Sequence, residues 1–167
     1  ASFARLKRAL LLAKSDKTAE RREATGTFLE LSMSSEKSVA EEALYAAATL
    51  AYGDRRWNEA AILFGRLMKT YPGTPRAKAA VVPYAWSAFL AGRYTECMSA
   101  CGDSEADDLF YLRASSMIAL DRKEQGLAEL SRYLEVHPRG RYRASAETPV
   151  QRARFDAAAK KGDLAAA

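Results

Sequence analysis

The sequence predicts an all-α fold, built as a stack of antiparallel helix pairs. Three observations predict it. Apolar residues recur at three- and four-residue spacing through most of the 167 residues, with no alternating apolar run and no Asn-Gly or Asp-Gly hairpin signal. Glycine and proline fall where such helices would end. The stretch from Ala43 to Pro72 reads as an Ala-rich helix, a polar break, a second amphipathic helix and a Tyr-Pro stop, and this plan returns after it and weakly before it. Hydrophobic residues make up 49% and charged residues 28%, enough to bury a core and inconsistent with a disordered chain. No apolar run approaches the ~20 residues that cross a bilayer.

Taken in order, Phe3 to Lys14 places Phe3, Leu6, Leu10 and Ala13 on one helical face. Ser15 or Asp16 is suited to cap a second helix, Thr18 to Met33, with Ala24, Phe28 and Leu31 on one stripe. Ser32 to Ser38 is small and polar, hence a connection. Glu41 to Tyr52 is the third helix, and Gly53-Asp54 ends it, with Asp54 suited to cap Trp57 to Thr70. Pro72 stops that helix, and Pro75 suits the first turn of the next. Arg76 to Leu90 is helical but contains Pro83, which predicts a bend between Ala79 and Pro83. Gly92 ends it. Arg93 to Cys101 is short and stopped by Gly102; Ser104 caps Glu105 to Leu120, and Asp121 caps Arg122 to Val136. Tyr142 to Glu147 reads as a turn or two of helix, and Thr148-Pro149 as the start of a last one reaching Lys160.

Aligning the second helices superposes Arg21-Arg22-Glu23-Ala24, Trp57-Asn58-Glu59-Ala60, Tyr94-Thr95-Glu96-Cys97 and Lys123-Glu124-Gln125-Gly126, at intervals of 36, 37 and 29 residues. The fourth position is always small, which lets one helix cross close to its partner. Four residues later come Phe28, Phe64, Cys101 and Leu130, each the core plug of its unit. With Trp57, Asn58-Glu59-Ala60, Phe64 and Pro72, the second unit resembles the tetratricopeptide repeat. The third carries the pattern in Gly92, Tyr94, Glu96 and Cys97, the fourth in Gly126, Tyr133 and Pro138, and the first in Ala24 and Phe28. The resemblance implies a right-handed superhelical α-solenoid, with one domain over 1–164: units at about 3–36, 40–73, 75–103 and 104–138, and a capping segment at 139–161. Residues 165–167 are set aside as a vector scar. The link Tyr71-Pro72-Gly73-Thr74-Pro75-Arg76-Ala77, echoed at His137 to Ala144, is similar to that of bacterial envelope proteins of this repeat family, the outer-membrane assembly lipoproteins of the BamD type and the TolA-binding periplasmic coordinator. That likeness points to the periplasm or envelope ahead of the cytoplasm. The chain shows no lipid-attachment cysteine, no N-terminal coiled coil and no signal peptide with a cleavage site, and it reads either as following one or as a piece of a longer protein.

The resemblance also implies a binding groove lined by the first helix of each pair. Carried over, its positions are Tyr45, Thr49 and Tyr52; Val82, Trp86 and Phe89; and Asp108, Tyr111, Ser115 and Ile118. Independently of any family, these sets run at i, i+4, i+7, with Asp108 a turn before Tyr111, and so share a face. An aromatic face of this kind suits a peptide or an amphipathic helix of another protein, held by few anchors; the competing reading is that the rings pack between helices. A grip on a C-terminal carboxylate is disfavoured, because Tyr45, Thr49, Val82 and Trp86 stand where polar groups would be needed. The expectation is a non-catalytic interaction scaffold.

The alternative is a binder of nucleic acid or an anionic surface. The net charge is +5, and residues 139–161 hold seven Lys or Arg against Glu147 and Asp156, so the excess sits there. Arg139, Arg141, Arg143, Arg152 and Arg154 would carry the contacts, with only Tyr142 and Phe155 for base stacking. Cys97 and Cys101, four apart on one helix, read as core residues and not as metal ligands, and His137 is the only histidine. Phosphate loops and hydrolase or metalloprotease motifs are missing from the sequence. No cofactor, metal or catalytic residue is expected.

Overall fold

Residues 2–165 are described by the structure, a computed structural model, with side chains to residue 160; the last two of the terminal alanines set aside above lie outside the described residues. Every regular element among the described residues is an α-helix. The chain forms two compact units, residues 1–92 and 93–167.

The first unit holds α1 (Ser2–Leu12), α2 (Thr18–Leu31), α3 (Lys37–Gly53), α4 (Trp57–Thr70), α5 (Pro75–Ala79) and α6 (Val81–Leu90). Within the unit each of α1 to α5 packs on the next helix, α6 also packs on α4, and α1 and α5 touch α3. Short connections make the paired helices antiparallel. Ala24, Phe28 and Leu31 of α2 and Ala60, Phe64 and Leu67 of α4 are all buried, so the aligned stripes form the core together with Leu44, Ala47, Ala48 and Ala51 of α3. The third helix starts at Lys37, earlier than Glu41, because Val39 and Ala40 extend its buried stripe by a turn.

Pro83 does more than bend the helix. The segment divides at Ala80 into α5 and α6. An interior proline would clash with the carbonyl four residues before it, and the break places Pro83 in the first turn of α6, where an N–H has no intrahelical partner to lose. Pro75 opens α5 as expected, and Thr74 Oγ1 accepts the Ala77 N–H at 3.2 Å.

The remaining caps differ from expectation. Ser15 Oγ accepts from the Lys17 N–H at 3.1 Å, outside α2, and Ser104 Oγ from the Ala106 N–H at 3.2 Å. Asp54 closes α3 and does not open α4. Backbone geometry takes the place of side-chain caps. Arg55 and Asp121 sit at φ 59° and 61°, Gly92 at 76°. In the first two turns a backbone bond of 2.9 Å closes the motif, from the Arg56 N–H to the Ala51 carbonyl and from the Arg122 N–H to the Met117 carbonyl. Each of these three residues is followed by an arginine whose side chain reaches three residues on: Arg56 to Glu59 at 2.5 Å, Arg93 to Glu96 at 2.9 Å and Arg122 to Gln125 at 2.7 Å.

The second unit holds α7 (Tyr94–Cys101), α8 (Asp107–Ala119), α9 (Lys123–Val136) and α10 (Arg143–Ala165). Its core joins Phe110 and Ala114 to Leu130, Tyr133, Ala146 and Val150. Gly126 is needed where α9 crosses α8: a Cβ there would stand 2.5 Å from Ile118 Cγ1 and 2.9 Å from the Ala114 carbonyl oxygen. Arg113, nearly buried, donates to the Gly102 and Ser104 carbonyls at 2.7 and 3.0 Å and pairs with Glu129 at 2.8 Å, holding the 102–104 turn against α8 and α9. The terminal segment is one helix and not two. Ala146 and Val150, one turn apart, both reach the core, and that burial outweighs the bond lost at Pro149.

Candidate functional site

The first unit carries a concavity of about 480 Å³ between α1, α2, α3 and α5. Its floor is apolar: Leu10, Phe28, Tyr45, Ala46 and Leu50 line it. Local sequence explains each. Leu10 continues the stripe of Leu6 and Ala9 toward the end of α1, and Tyr45, Ala46 and Thr49 sit beside the buried Leu44, Ala47 and Ala48 stripe of α3. Tyr45 packs edge-on against Phe64, centroids 6.3 Å apart, which fixes its ring at the margin of the core. Thr49 is exposed, and its hydroxyl donates to the Tyr45 carbonyl at 2.9 Å. The volume lies within the ~300–1,000 Å³ of ligand-binding concavities, and the lining is mainly apolar, as theirs is.

The rim is charged. Lys14, Arg21 and Arg76 stand around the opening with one carboxylate, Glu42. Arg21 pairs with Asp54, and Arg76 with Glu42 at 3.3 Å. Sequence reasoning identified none of these four. Lys14 and Arg76 are 62 residues apart in the chain, and only packing of α1 and α5 on either side of α3 brings them to one opening.

Tyr45 and Thr49 therefore line the concavity. Tyr52, one turn further along α3, does not: it packs edge-on against Trp57 at 5.3 Å and Phe64 at 6.4 Å. Trp86 and Phe89 of α6 are half-buried and pack edge-to-face on each other at 6.3 Å, and Val82 is half-buried in the first turn of the same helix.

The remaining positions belong to the second unit. Tyr111 stacks on Tyr142, centroids 4.6 Å apart and planes 14° from parallel. Ile118 packs on the unit's core and Ser115 is half-buried. Asp108 accepts from the Tyr142 hydroxyl at 2.5 Å and pairs with Arg141 at 3.6 Å. Asp107 accepts from the Tyr133 hydroxyl and from the Arg141 N–H. These bonds pin the 137–142 turn onto the start of α8. Burial and the Asp108 hydrogen bond push the Tyr142 hydroxyl up to about 12, and Tyr133 is pushed higher still by burial and Asp107. Burial works against the Asp107 carboxylate, but its bonds from Tyr133 and Arg141 outweigh that and hold it below the ordinary range. His137 is part of the same pin: its Nε2 lies 2.6 Å from the Glu105 carbonyl oxygen, and its ring packs on Phe110 and Tyr133.

Of the basic residues, Arg141 is held by Asp108, while Arg143 pairs with Glu147 at 2.5 Å and donates to the Pro138 carbonyl at 2.6 Å. Arg139, Arg152 and Arg154 are exposed and carry no ion pair among the described residues. Cys97 and Cys101 are buried free thiols with sulfurs 4.0 Å apart. The hydrogen bond with Cys97, and burial after it, hold Cys101 far above the ordinary thiol range. Among the described residues no group of three His, Cys, Asp or Glu side chains is placed to hold a metal ion, and no helix is long and apolar enough to cross a membrane. No protein-family model, curated protein or solved structure matches the chain.

Proposed function

We propose that the protein is a non-catalytic interaction scaffold that receives a helical segment of another protein in the concavity of its first unit. The observation that carries this reading is the apolar concavity in which half-buried Leu10, Tyr45 and Ala46 lie over the buried Phe28 and Leu50. A helix laid along α3 would place side chains spaced i, i+3 or i+4, and i+7 on that floor. The recurrence of buried small and bulky residues at Ala24/Phe28, Ala60/Phe64, Cys97/Cys101 and Gly126/Leu130 supports a repeat architecture of the tetratricopeptide kind. With it goes a place in a bacterial envelope assembly, which rests on the Tyr-Pro-Gly-Thr link alone.

The test is a displayed library of 18-residue amphipathic helices, selected on the wild type and counter-screened on Thr49→Trp. Thr49 is exposed, so the variant keeps its helicity while its ring fills the groove. The reading expects enriched clones to lose ~10-fold or more in affinity on Thr49→Trp. Clones that bind both proteins equally, or no enrichment at all, would overturn it.

A further inference from the structure

We infer that the occupant of this groove is an acidic amphipathic helix, one whose apolar stripe is flanked on both sides by Glu or Asp. The inference rests on the reading above and adds the partner's chemistry to it. Cations stand on both flanks of the α3 floor: Lys14 and Arg21 on the α1–α2 side and Arg76 on the α5 side, with Glu42 in the lining and Asp54 paired to Arg21.

The internal partners of these cations leave room for an incoming carboxylate. Lys14 is exposed and has no anionic partner among the described residues. It follows the end of α1, where the helix dipole favours a cation. That accounts for the charge but not for its position over an apolar floor. Arg76 and Glu42 stand 3.3 Å apart with side chains 40% and 36% exposed, beyond the 2.7–2.9 Å of a strong charge-assisted bond. Exposed pairs of this kind contribute little and exchange readily. Arg21 keeps Asp54, which neutralises it, so the free contacts fall to Lys14 and Arg76. A basic or neutral helix would gain apolar contact alone and leave Lys14 without a partner and Arg76 with its loose pair to Glu42 only, whereas carboxylates on both edges would engage both cations and fix the helix's register.

The experiment uses the same library, with flanking positions varied over Glu, Asp, Gln, Lys and Arg. Clones that depend on an unfilled groove, that is, those lost on Thr49→Trp, are sequenced. The inference expects Glu and Asp to be enriched at flanking positions. It expects each of Lys14→Gln and Arg76→Gln to weaken such clones ~3- to 10-fold, and affinity to fall as salt rises from 50 to 500 mM. Groove-dependent clones with neutral or basic flanks, or indifference to Lys14→Gln and Arg76→Gln, would overturn the acidic partner while leaving the groove reading intact. Clones indifferent to Thr49→Trp would overturn both. A parallel arm offers vesicles of anionic phospholipid without peptide; vesicle binding lost with Lys14→Gln and Arg76→Gln, and no groove-dependent peptide, would assign the rim to a membrane surface and sink the inference.

Discussion

Two helix-interior glycines give opposite expectations for the same substitution. Gly26 lies in α2, is exposed, and has nothing within 4 Å of where a Cβ would stand. Gly26→Ala should therefore stabilise by about 1 kcal/mol, the difference in helix propensity and unfolded-chain entropy. Gly126 lies in α9, buried against α8, where a Cβ would meet Ile118 Cγ1 at 2.5 Å, the Ala114 carbonyl oxygen at 2.9 Å and the Ile118 nitrogen at 3.0 Å. Two of these atoms are backbone and cannot rotate away, so the helices must separate. Overpacking of this kind costs about 1–3 kcal/mol, and the upper end applies here. After the same propensity gain of about 1 kcal/mol, Gly126→Ala should lose about 2 kcal/mol, leaving the two variants about 3 kcal/mol apart. Urea unfolding followed by far-UV circular dichroism resolves this, since the midpoints should differ by roughly 1–2 M at m of about 2 kcal/mol/M. If Gly126→Ala is as stable as Gly26→Ala, the close crossing of α8 and α9 is wrong, and the small residue at that repeat position has no packing reason.

Other consequences follow from the same contacts. Tyr133 and Tyr142 ionise in the unfolded chain near pH 10 but only at higher pH when folded, so their contribution is complete below pH 10 and is lost as pH rises toward 12, at up to about 1.4 kcal/mol per pH unit for each. Urea midpoints between pH 9.5 and 11.5 should fall, and fall less steeply in the Tyr133→Phe/Tyr142→Phe protein; equal slopes would contradict the pin. Arg113→Met leaves the Gly102 and Ser104 carbonyls and the partly buried Glu129 without their donor and should cost about 2–4 kcal/mol in the same assay. Tyr52→Glu puts a charge between Trp57 and Phe64 and should destabilise by about 2–3 kcal/mol, whereas Thr49→Glu, one turn back on the exposed face, should stay within about 0.5 kcal/mol. Equal effects would mean that α3 is rotated from the position described.

Helix identity was legible because the apolar period is long and the stops are strong. Trp57–Thr70 has the expected ends, since Tyr71-Pro72 leaves no alternative. The register of the second helices was legible for the same reason: a small residue and a bulky one four apart recur, and all are buried. Proline was harder. Pro83 divides its segment and Pro149 does not, and the difference lies in tertiary packing, because Ala146 and Val150 bind α10 to the core across Pro149. Caps read from Asp54 and Asp121 failed because the turns close by left-handed backbone at Arg55 and Asp121 and by the arginine that follows each; Ser104 instead accepts from the Ala106 N–H, one residue before α8 begins. A motif of Arg-x-x-Glu or Gln was present in the sequence at 56, 93 and 122 and would have marked those turns. Of the positions grouped by i, i+4 spacing on α3, Tyr45 and Thr49 line the concavity, but a helical face alone does not separate Tyr52, whose ring packs on Trp57. Tyr111 is met by Tyr142, a residue from outside its own helix pair, and the cationic rim is assembled from three separate elements. Neither is visible in a one-helix pattern.

Backbone amide mapping tests the central claim most directly. A ¹⁵N-labelled sample is titrated with the tightest helix from the displayed library, and shift changes are followed residue by residue. The account predicts changes concentrated at Leu10 and Lys14, at Tyr45, Ala46 and Thr49, and at Arg76, with the exposed Arg152 and Arg154 of α10 unmoved. Changes centred on α10, or spread over the outer surface of α2 and α4 with α3 silent, would contradict it.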